Sequence, residues 1–358
     1  MPGPKPTARG RGAVSNASGR YESMTRDAFD DGWTESDAAP TPLRTTMTAE
    51  AARVIISTND SPDVGFDRSI NPYRGCEHGC IYCFARPTHA YMGLSPGLDF
   101  ESKLYFKPEA ARLLERELSK PAYRCELIHM GANTDPYQPH ERRLRITRQV
   151  LEVLSRFRHP VSVLTKSALV ARDIDILAPM AADGLARAAV SVTTLDRALA
   201  RAMEPRAATP ERRLWAIRQL TAAGIPTTVM FAPVIPGLND HEMEAVLHRA
   251  AEAGATHAGY VMLRLPLEIK DLFREWLESE RPDRASRVMS LVRQMRGGKD
   301  YDPQWGKRMK GEGPIADLTR QRFQIAQRRF GLNQDRTPLD TTKFRVPPKA
   351  GDQMDLFG

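Results

Sequence analysis

With 358 residues, 41% of them apolar and 27% charged, the chain is long enough for one large core plus appendages, which excludes a disordered chain. No run approaches the roughly 18 to 20 apolar residues of a membrane-spanning helix, and the start, Met1-Pro-Gly-Pro-Lys-Pro6, lacks the apolar stretch of a secretory signal; a cytoplasmic protein with no membrane partner is expected. The net charge is +8, and residues 281–358 carry all of it, with 17 Lys and Arg against 9 Asp and Glu. That bias suits DNA or RNA as a partner, or else serves only as a solvated surface.

Residues 1–45 are rich in Pro, Gly, Ser, Thr and Ala and read as a flexible arm. Within a core of residues 46–280, short β-rich runs alternate with longer amphipathic stretches from about Asp67 onward, the pattern of repeated βα units around a parallel sheet. Strands are expected at 69–74, 126–131, 161–165, 188–193, 226–231 and 257–263. Helices are expected at roughly 107–119, 141–157, 172–182, 209–223, 239–253 and 266–279, with Gly224 and Gly254 as C-terminal stops. Six such units fit a partial barrel or an open doubly wound sheet, and both gather chemistry at the C-terminal strand ends. Residues 281–345 form a basic helical extension, and 346–358 a flexible tail containing Pro347 and Pro348.

Directly after the first strand stands Asn71-Pro-Tyr-Arg-Gly-Cys76-Glu-His-Gly-Cys80-Ile-Tyr-Cys83, a C-x3-C-x2-C spacing that lets three thiolates converge on one inorganic centre. Thiolates are soft ligands suited to iron–sulfur clusters or zinc, and a [4Fe-4S] cube held by three cysteines leaves one iron open. The zinc alternative, a zinc-stabilised nucleic-acid binding protein, must recruit His78 or His89 because no second C-x2-C pair exists. A disulfide would strand the third thiol. Cys125, at the start of the second strand and about 3.3 Å per residue from its far end, reads as a buried or inert thiol roughly 20 Å from the chemistry.

This spacing, with aromatic Tyr82 directly before the last cysteine, resembles the signature of the radical S-adenosylmethionine (SAM) superfamily. The resemblance implies a partial (β/α)6 TIM-type barrel and a [4Fe-4S] cluster on Cys76, Cys80 and Cys83. It also implies SAM chelated at the open iron, an external electron donor, and cleavage to methionine and a 5′-deoxyadenosyl radical that abstracts hydrogen. Implied SAM contacts are Tyr82, then Thr134 and Asp135 for the amino group, and Ser191 and Arg206 for ribose and carboxylate. The polar turn 131–141 equally suits Asp-Pro and Gln-Pro turn chemistry, and Arg206 could instead pair locally with Glu204. Leu164-Thr-Lys166-Ser167 offers a cation and hydroxyls at the next strand end, and Ala232-Pro-Val-Ile-Pro-Gly237-Leu-Asn-Asp240 could pack against an adenine.

Taken together, Asn71-Pro-Tyr-Arg-Gly-Cys76, Asn133-Thr-Asp-Pro-Tyr-Gln-Pro139 and Leu164-Thr-Lys-Ser167 resemble the branch related to spore photoproduct lyase, over about residues 65–280. Those lyases are understood to use a cysteine near the end of strand two as hydrogen donor; here the region reads Gly131-Ala-Asn-Thr134. No radical-quenching residue is assigned, although Tyr73, Tyr91 and Tyr137 lie near the expected active face. In the tail, Gln353-Met-Asp-Leu-Phe357 resembles the pentapeptide with which bacterial proteins bind the DNA sliding clamp, with Leu356 and Phe357 as anchors. A bare unstructured end and a clamp-recruited scaffold remain the alternatives there. The substrate is open between nucleic acid, which the basic extension and the lyase resemblance favour, and a protein or small metabolite.

Overall fold

A computed structural model describes residues 10–22, 43–335 and 337–348. Strands β1 (Thr46–Ala49) and β2 (Ile56–Thr58) precede β3 (Arg68–Ile70) and β4 (Tyr73–Arg74). The cysteine loop leads into α1 (Leu98–Ser102), β5 (Lys103–Phe106), α2 (Ala110–Leu118) and β6 (Ile128–Met130). Then come α3 (Glu141–Leu144), α4 (Ile146–Arg156), β7 (Val161–Thr165), α5 (Ile174–Ala182), β8 (Ala186–Ser191), α6 (Arg197–Met203) and α7 (Pro210–Ala222). The core ends with β9 (Thr227–Val234), α8 (Met243–Glu252), β10 (His257–Met262) and α9 (Ile269–Glu280), and the basic extension supplies α10 (Pro282–Gln294) and α11 (Pro314–Arg329).

The six expected strands are β3, β6, β7, β8, β9 and β10. They pair in parallel in sequence order, and β2 adds an antiparallel edge to give β10-β9-β8-β7-β6-β3-β2. The six parallel strands lie side by side in unbroken chain order, without the reversal of a doubly wound sheet, and the two ends of the seven-stranded sheet do not pair, which makes the architecture a partial barrel. Its strands are short and mostly buried, as parallel strands covered by helices must be: Val161, Val163, Val190, Val229 and Phe231 lie at 2% exposure or less. They pack against helix faces such as Val150, Leu151 and Leu154 of α4 and Ile217 and Leu220 of α7. α7 begins where Thr209 accepts a hydrogen bond from the Arg212 N–H at 3.4 Å and Pro210 takes the first turn. Gly224 (φ +75°) and Gly254 (φ +95°) end α7 and α8 in the left-handed conformation their sequence positions predict.

Four local expectations change. The strand expected at 69–74 splits at Asn71-Pro72, because Pro72 has no N–H for the ladder; β4 turns away into a second sheet of order β1-β5-β4. α6 was absent from the expected helices; Asp196 caps it, accepting from the Ala198 N–H at 2.7 Å. Cys125 precedes β6, outside the ladder, and is half-buried. Residues 10–22, expected to belong to a mobile arm, pack against the core, with Arg11 4% and Ala13 0% exposed. The reason is polar: the Gly12 and Ala13 N–H groups donate to the two Glu101 oxygens at 2.9 and 2.8 Å, and Arg11 donates to the Glu101 carbonyl at 2.7 Å.

The extension closes over the body. Arg322 of α11 pairs with Glu244 of α8 at 2.6 Å. The Met262 N–H at the β10 edge donates to the Met309 carbonyl at 2.9 Å, while the Gly306 N–H donates to Asp63, in the turn between β2 and β3, at 2.6 Å. The 297–313 loop therefore bridges the two open edges of the sheet. Among the described residues no helix is long and apolar enough to cross a membrane, and the 353–357 motif lies outside them.

Burial lowers His129 and His159 to about 4 from 6.5, so the fold favours their neutral forms. A depressed folded value means that stability present above pH 6.5 is lost as pH falls towards 4. Thermal unfolding of the protein should therefore show a falling Tm between these pH values, accompanied by proton uptake on unfolding; a flat Tm across the window would refute the buried neutral imidazoles.

Candidate functional site

The loop from β4 to α1 carries Cys76, Cys80 and Cys83, and its shape depends on glycine at two positions. Gly75 (φ +72°) and Gly79 (φ +68°) occupy the left-handed region, and a Cβ on Gly79 would lie 2.6 Å from Glu101 Oε2. Successive tight turns follow: the Gly79 N–H donates to the Cys76 carbonyl at 3.2 Å, Cys83 to Cys80 at 3.2 Å and Arg86 to Cys83 at 3.1 Å. The fully buried Arg86 guanidinium then fastens the loop. It donates to the carbonyls of Cys80 (2.8 Å), Gly79 (3.0 Å), Gly97 (2.9 Å) and Pro96 (3.0 Å), and to the carboxylate of fully buried Glu101.

All three loop thiols are free, and Cys76 and Cys80 are buried. Burial raises the pKa of each, and at Cys76 the charges of Asp135, Cys80 and Cys83 add to the rise. Bare thiols in this place stay protonated, whereas coordination to a metal centre deprotonates them outright. Compensating charge is at hand, because Lys166 favours the thiolates of Cys80 and Cys83, Arg213 that of Cys80 and Arg86 that of Cys83. This donor set fits an iron–sulfur cluster. Among the described residues no three His, Cys, Asp or Glu gather around a single ion position. Of the two histidines a zinc site would need, His78 has Nδ1 3.4 Å from Asp135 and His89 has Nε2 2.9 Å from the Lys103 carbonyl.

Around the loop, three carboxylates tie strand ends together. Asp135 accepts from the Thr165 hydroxyl (2.7 Å) and the N–H groups of Lys166 (2.7 Å) and Tyr137 (2.8 Å). Burial works against its ionisation, but His78 and these donors outweigh it and hold the carboxyl at about 2. Glu77 is likewise held at about 2: burial raises it, and His140, Thr45 and Arg206 overcome that. Glu204 accepts from Tyr82, from Thr193 (2.7 Å) and from the buried Arg213, which also reaches the Ser191 carbonyl at 3.2 Å.

The candidate contacts therefore divide. Tyr82, Asp135 and Lys166 meet from the cysteine loop and the C-terminal ends of β6 and β7, and Ser191 closes β8 with its carbonyl on Arg213. The Thr134 hydroxyl is turned inward, donating to the Tyr73 carbonyl at 2.9 Å, and the Asp135 oxygens are occupied as described. Arg206 pairs with Glu77 at 2.6 Å and donates to the Gly10 carbonyl at 3.1 Å, not with Glu204 as the local alternative had it. Lys166 differs: its only partner among the described residues is the Tyr82 ring, 5.8 Å from Nζ. Three residues that carry the site escaped sequence reasoning. Arg86 and Glu101 have no motif around them, and Asn239, which donates to the carbonyls of Thr193 (2.8 Å) and Pro233 (3.0 Å), sat unnoticed within a segment singled out for its apolar residues. Finally, Gly131 at the β6 exit has φ +96° and a Cβ there would lie 2.2 Å from the Leu164 carbonyl oxygen, so this position admits no side chain.

Comparison with known proteins agrees with this geometry. An uncharacterised protein of Mycobacterium tuberculosis is 38% identical over 287 residues, covering 80% of this chain and 81% of its own. Another, of Methanocaldococcus jannaschii, is 27% identical over 214 residues, covering 60% of this chain and 76% of its own. A solved spore photoproduct lyase complexed with dinucleoside spore photoproduct shares the fold, with a TM-score of 0.56 over 80% of each chain at 15% identity. A further structure of that lyase, with bound AdoMet and the same dinucleoside, also gives 0.56 over 80% of each chain at 15% identity. The family model described as the radical SAM superfamily matches residues 70–250, from β3 through most of α8. A family defined by an iron–sulfur cluster and SAM thus meets a loop of three free thiols at the strand ends, and the chain belongs to the radical SAM superfamily.

Proposed function

We propose that the protein is an enzyme that holds a [4Fe-4S] cluster on Cys76, Cys80 and Cys83, cleaves SAM reductively there and abstracts hydrogen from a nucleic-acid substrate. The observation that carries this reading is the single loop of three free thiols, two of them buried, ringed by Lys166, Arg86 and Arg213, at the C-terminal end of a parallel sheet. Bound to these three thiolates, such a cluster would leave one iron free of protein ligands for SAM and would supply the reducing electron for its cleavage.

The chain's own residues account for binding and orientation. Lys166, a cation beside the thiols with no carboxylate partner among the described residues, is the group we assign to the SAM carboxylate. The Tyr82 ring stands beside Lys166, and Ser191 at the end of β8 is assigned to the same ligand. Thr134, Asp135 and Arg206 commit their side chains to other protein groups, and we assign them the positioning of the strand ends and of the cysteine loop. The electrons come from an external donor. The nucleic-acid assignment rests on the basic extension and on the fold shared with a lyase whose structure contains a dinucleoside photoproduct. Docking of the 353–357 motif on a sliding clamp belongs to the same proposal. The return of hydrogen differs from that of the lyases, because the four cysteines are the three in the loop and Cys125, and none stands at the β6 exit.

Anaerobic reconstitution should give a brown protein that forms 5′-deoxyadenosine and methionine from SAM with dithionite. Replacing Cys76, Cys80 and Cys83 by alanine should abolish both colour and products; a colourless protein with stoichiometric zinc would overturn the reading. Lys166→Ala should raise the KM for SAM about tenfold or more, from loss of a charge-assisted contact of about 1.5 to 3 kcal/mol, with iron content unchanged and partial recovery in Lys166→Arg. An unaltered KM would remove Lys166 from the SAM site.

A further inference from the structure

We propose that an exposed rim of Arg20, Tyr21, Phe84, Tyr91 and Arg264 binds single-stranded nucleic acid, with bases stacked on the rings and phosphates met by cations along its flank. This inference rests on the radical SAM reading above and specifies the form of the substrate. Tyr21, Phe84 and Tyr91 are 57%, 44% and 69% exposed, although large aromatic side chains gain most from burial. Tyr21 and Tyr91 pair with each other, and each of the three rings has a cation beside it. The Tyr21 and Tyr91 rings stand 5.3 Å apart at 31°, the Arg20 guanidinium lies 5.0 and 5.3 Å from their centroids, and Arg264 lies 5.1 Å from that of Phe84. Arg20 is itself held by Glu268, at 2.7 and 2.8 Å, so the docked segment 10–22 fixes its tyrosine in place. Preset rings at the surface lower the ordering cost of a ligand that stacks on them.

The rim's position relates it to the chemistry. Phe84 directly follows Cys83, and Arg264 stands two residues beyond the end of β10. Arg264 in turn donates to Met309 Sδ at 3.3 Å, joining the rim to the 297–313 loop. There Lys299 and Lys310 are exposed and Trp305 is 52% exposed, within the part of the chain that carries the whole net charge. Aromatic faces joined through Arg264 to a loop that exposes Lys299 and Lys310 complement a strand that offers bases and phosphates together. In a duplex the base faces are covered by their neighbours, whereas a single strand leaves them free to stack, with about 1 to 3 kcal/mol per base at stake.

The test is fluorescence anisotropy on the reconstituted full chain, with labelled single strands of about 15 nucleotides and the matching duplex, at about 0.1 M salt. The proposal expects tighter binding of the single strand than of the duplex. It also expects about tenfold or greater weakening in Tyr21→Ala/Tyr91→Ala and near-wild-type binding in Tyr21→Phe/Tyr91→Phe. Iron content and SAM cleavage measured without oligonucleotide should be unchanged in both variants. Equal affinity of wild type and the alanine variant, preference for the duplex, or no binding of either would overturn the rim while leaving SAM cleavage standing. Failure of the wild type to cleave SAM would instead defeat the underlying reading.

Discussion

The buried pair of Arg86 and Glu101 is the constraint on which the rest of the site depends. One guanidinium spends its donors on four carbonyls and one carboxylate, and that carboxylate is shared with the N–H groups of Gly12 and Ala13. Loop, α1 and N-terminal segment are thereby held in one arrangement. Removing one member of a buried ion pair leaves an uncompensated charge and typically costs about 3 to 5 kcal/mol, so neither residue can be exchanged independently. Three thiols on an unconstrained loop would have no fixed spacing; here the spacing is imposed from behind, by groups that touch no cofactor.

The same logic repeats at the strand ends. Asp135 joins β6 to β7, Glu204 joins the cysteine loop through Tyr82 to the end of β8 through Arg213, and Asn239 joins the ends of β8 and β9. Each is a polar group with its hydrogen-bonding capacity filled by protein partners, as burial requires. Against that background Lys166 is the exception, a cation with only a ring beside it. Such networks make a rigid wall, and beside it the Lys166 ammonium has no carboxylate partner among the described residues.

The sheet was legible because its signals are local. Apolar β-rich runs, glycine stops and the C-x3-C-x2-C spacing all lie within a few residues of the features they specify. The N-terminal segment was not, because its order depends on Glu101, 88 and 89 positions away from Ala13 and Gly12, and a stretch rich in small and polar residues has no periodicity to betray a docking site. Asp135 illustrates a subtler failure. Its place at a strand end was readable, but its occupancy by Thr165 and Lys166, 30 and 31 positions away, was a matter of three-dimensional neighbours. Bridging of the open sheet by the 297–313 loop was hidden for the same reason, since Asp63 and Gly306 are 243 positions apart.

The most direct measurement of the central claim is Mössbauer spectroscopy of the iron-57-reconstituted protein with and without SAM. A cube held by three protein thiolates has one chemically distinct iron, so SAM should shift the signal of about a quarter of the iron and leave the remainder in place. Four iron sites that all ignore SAM would contradict the account.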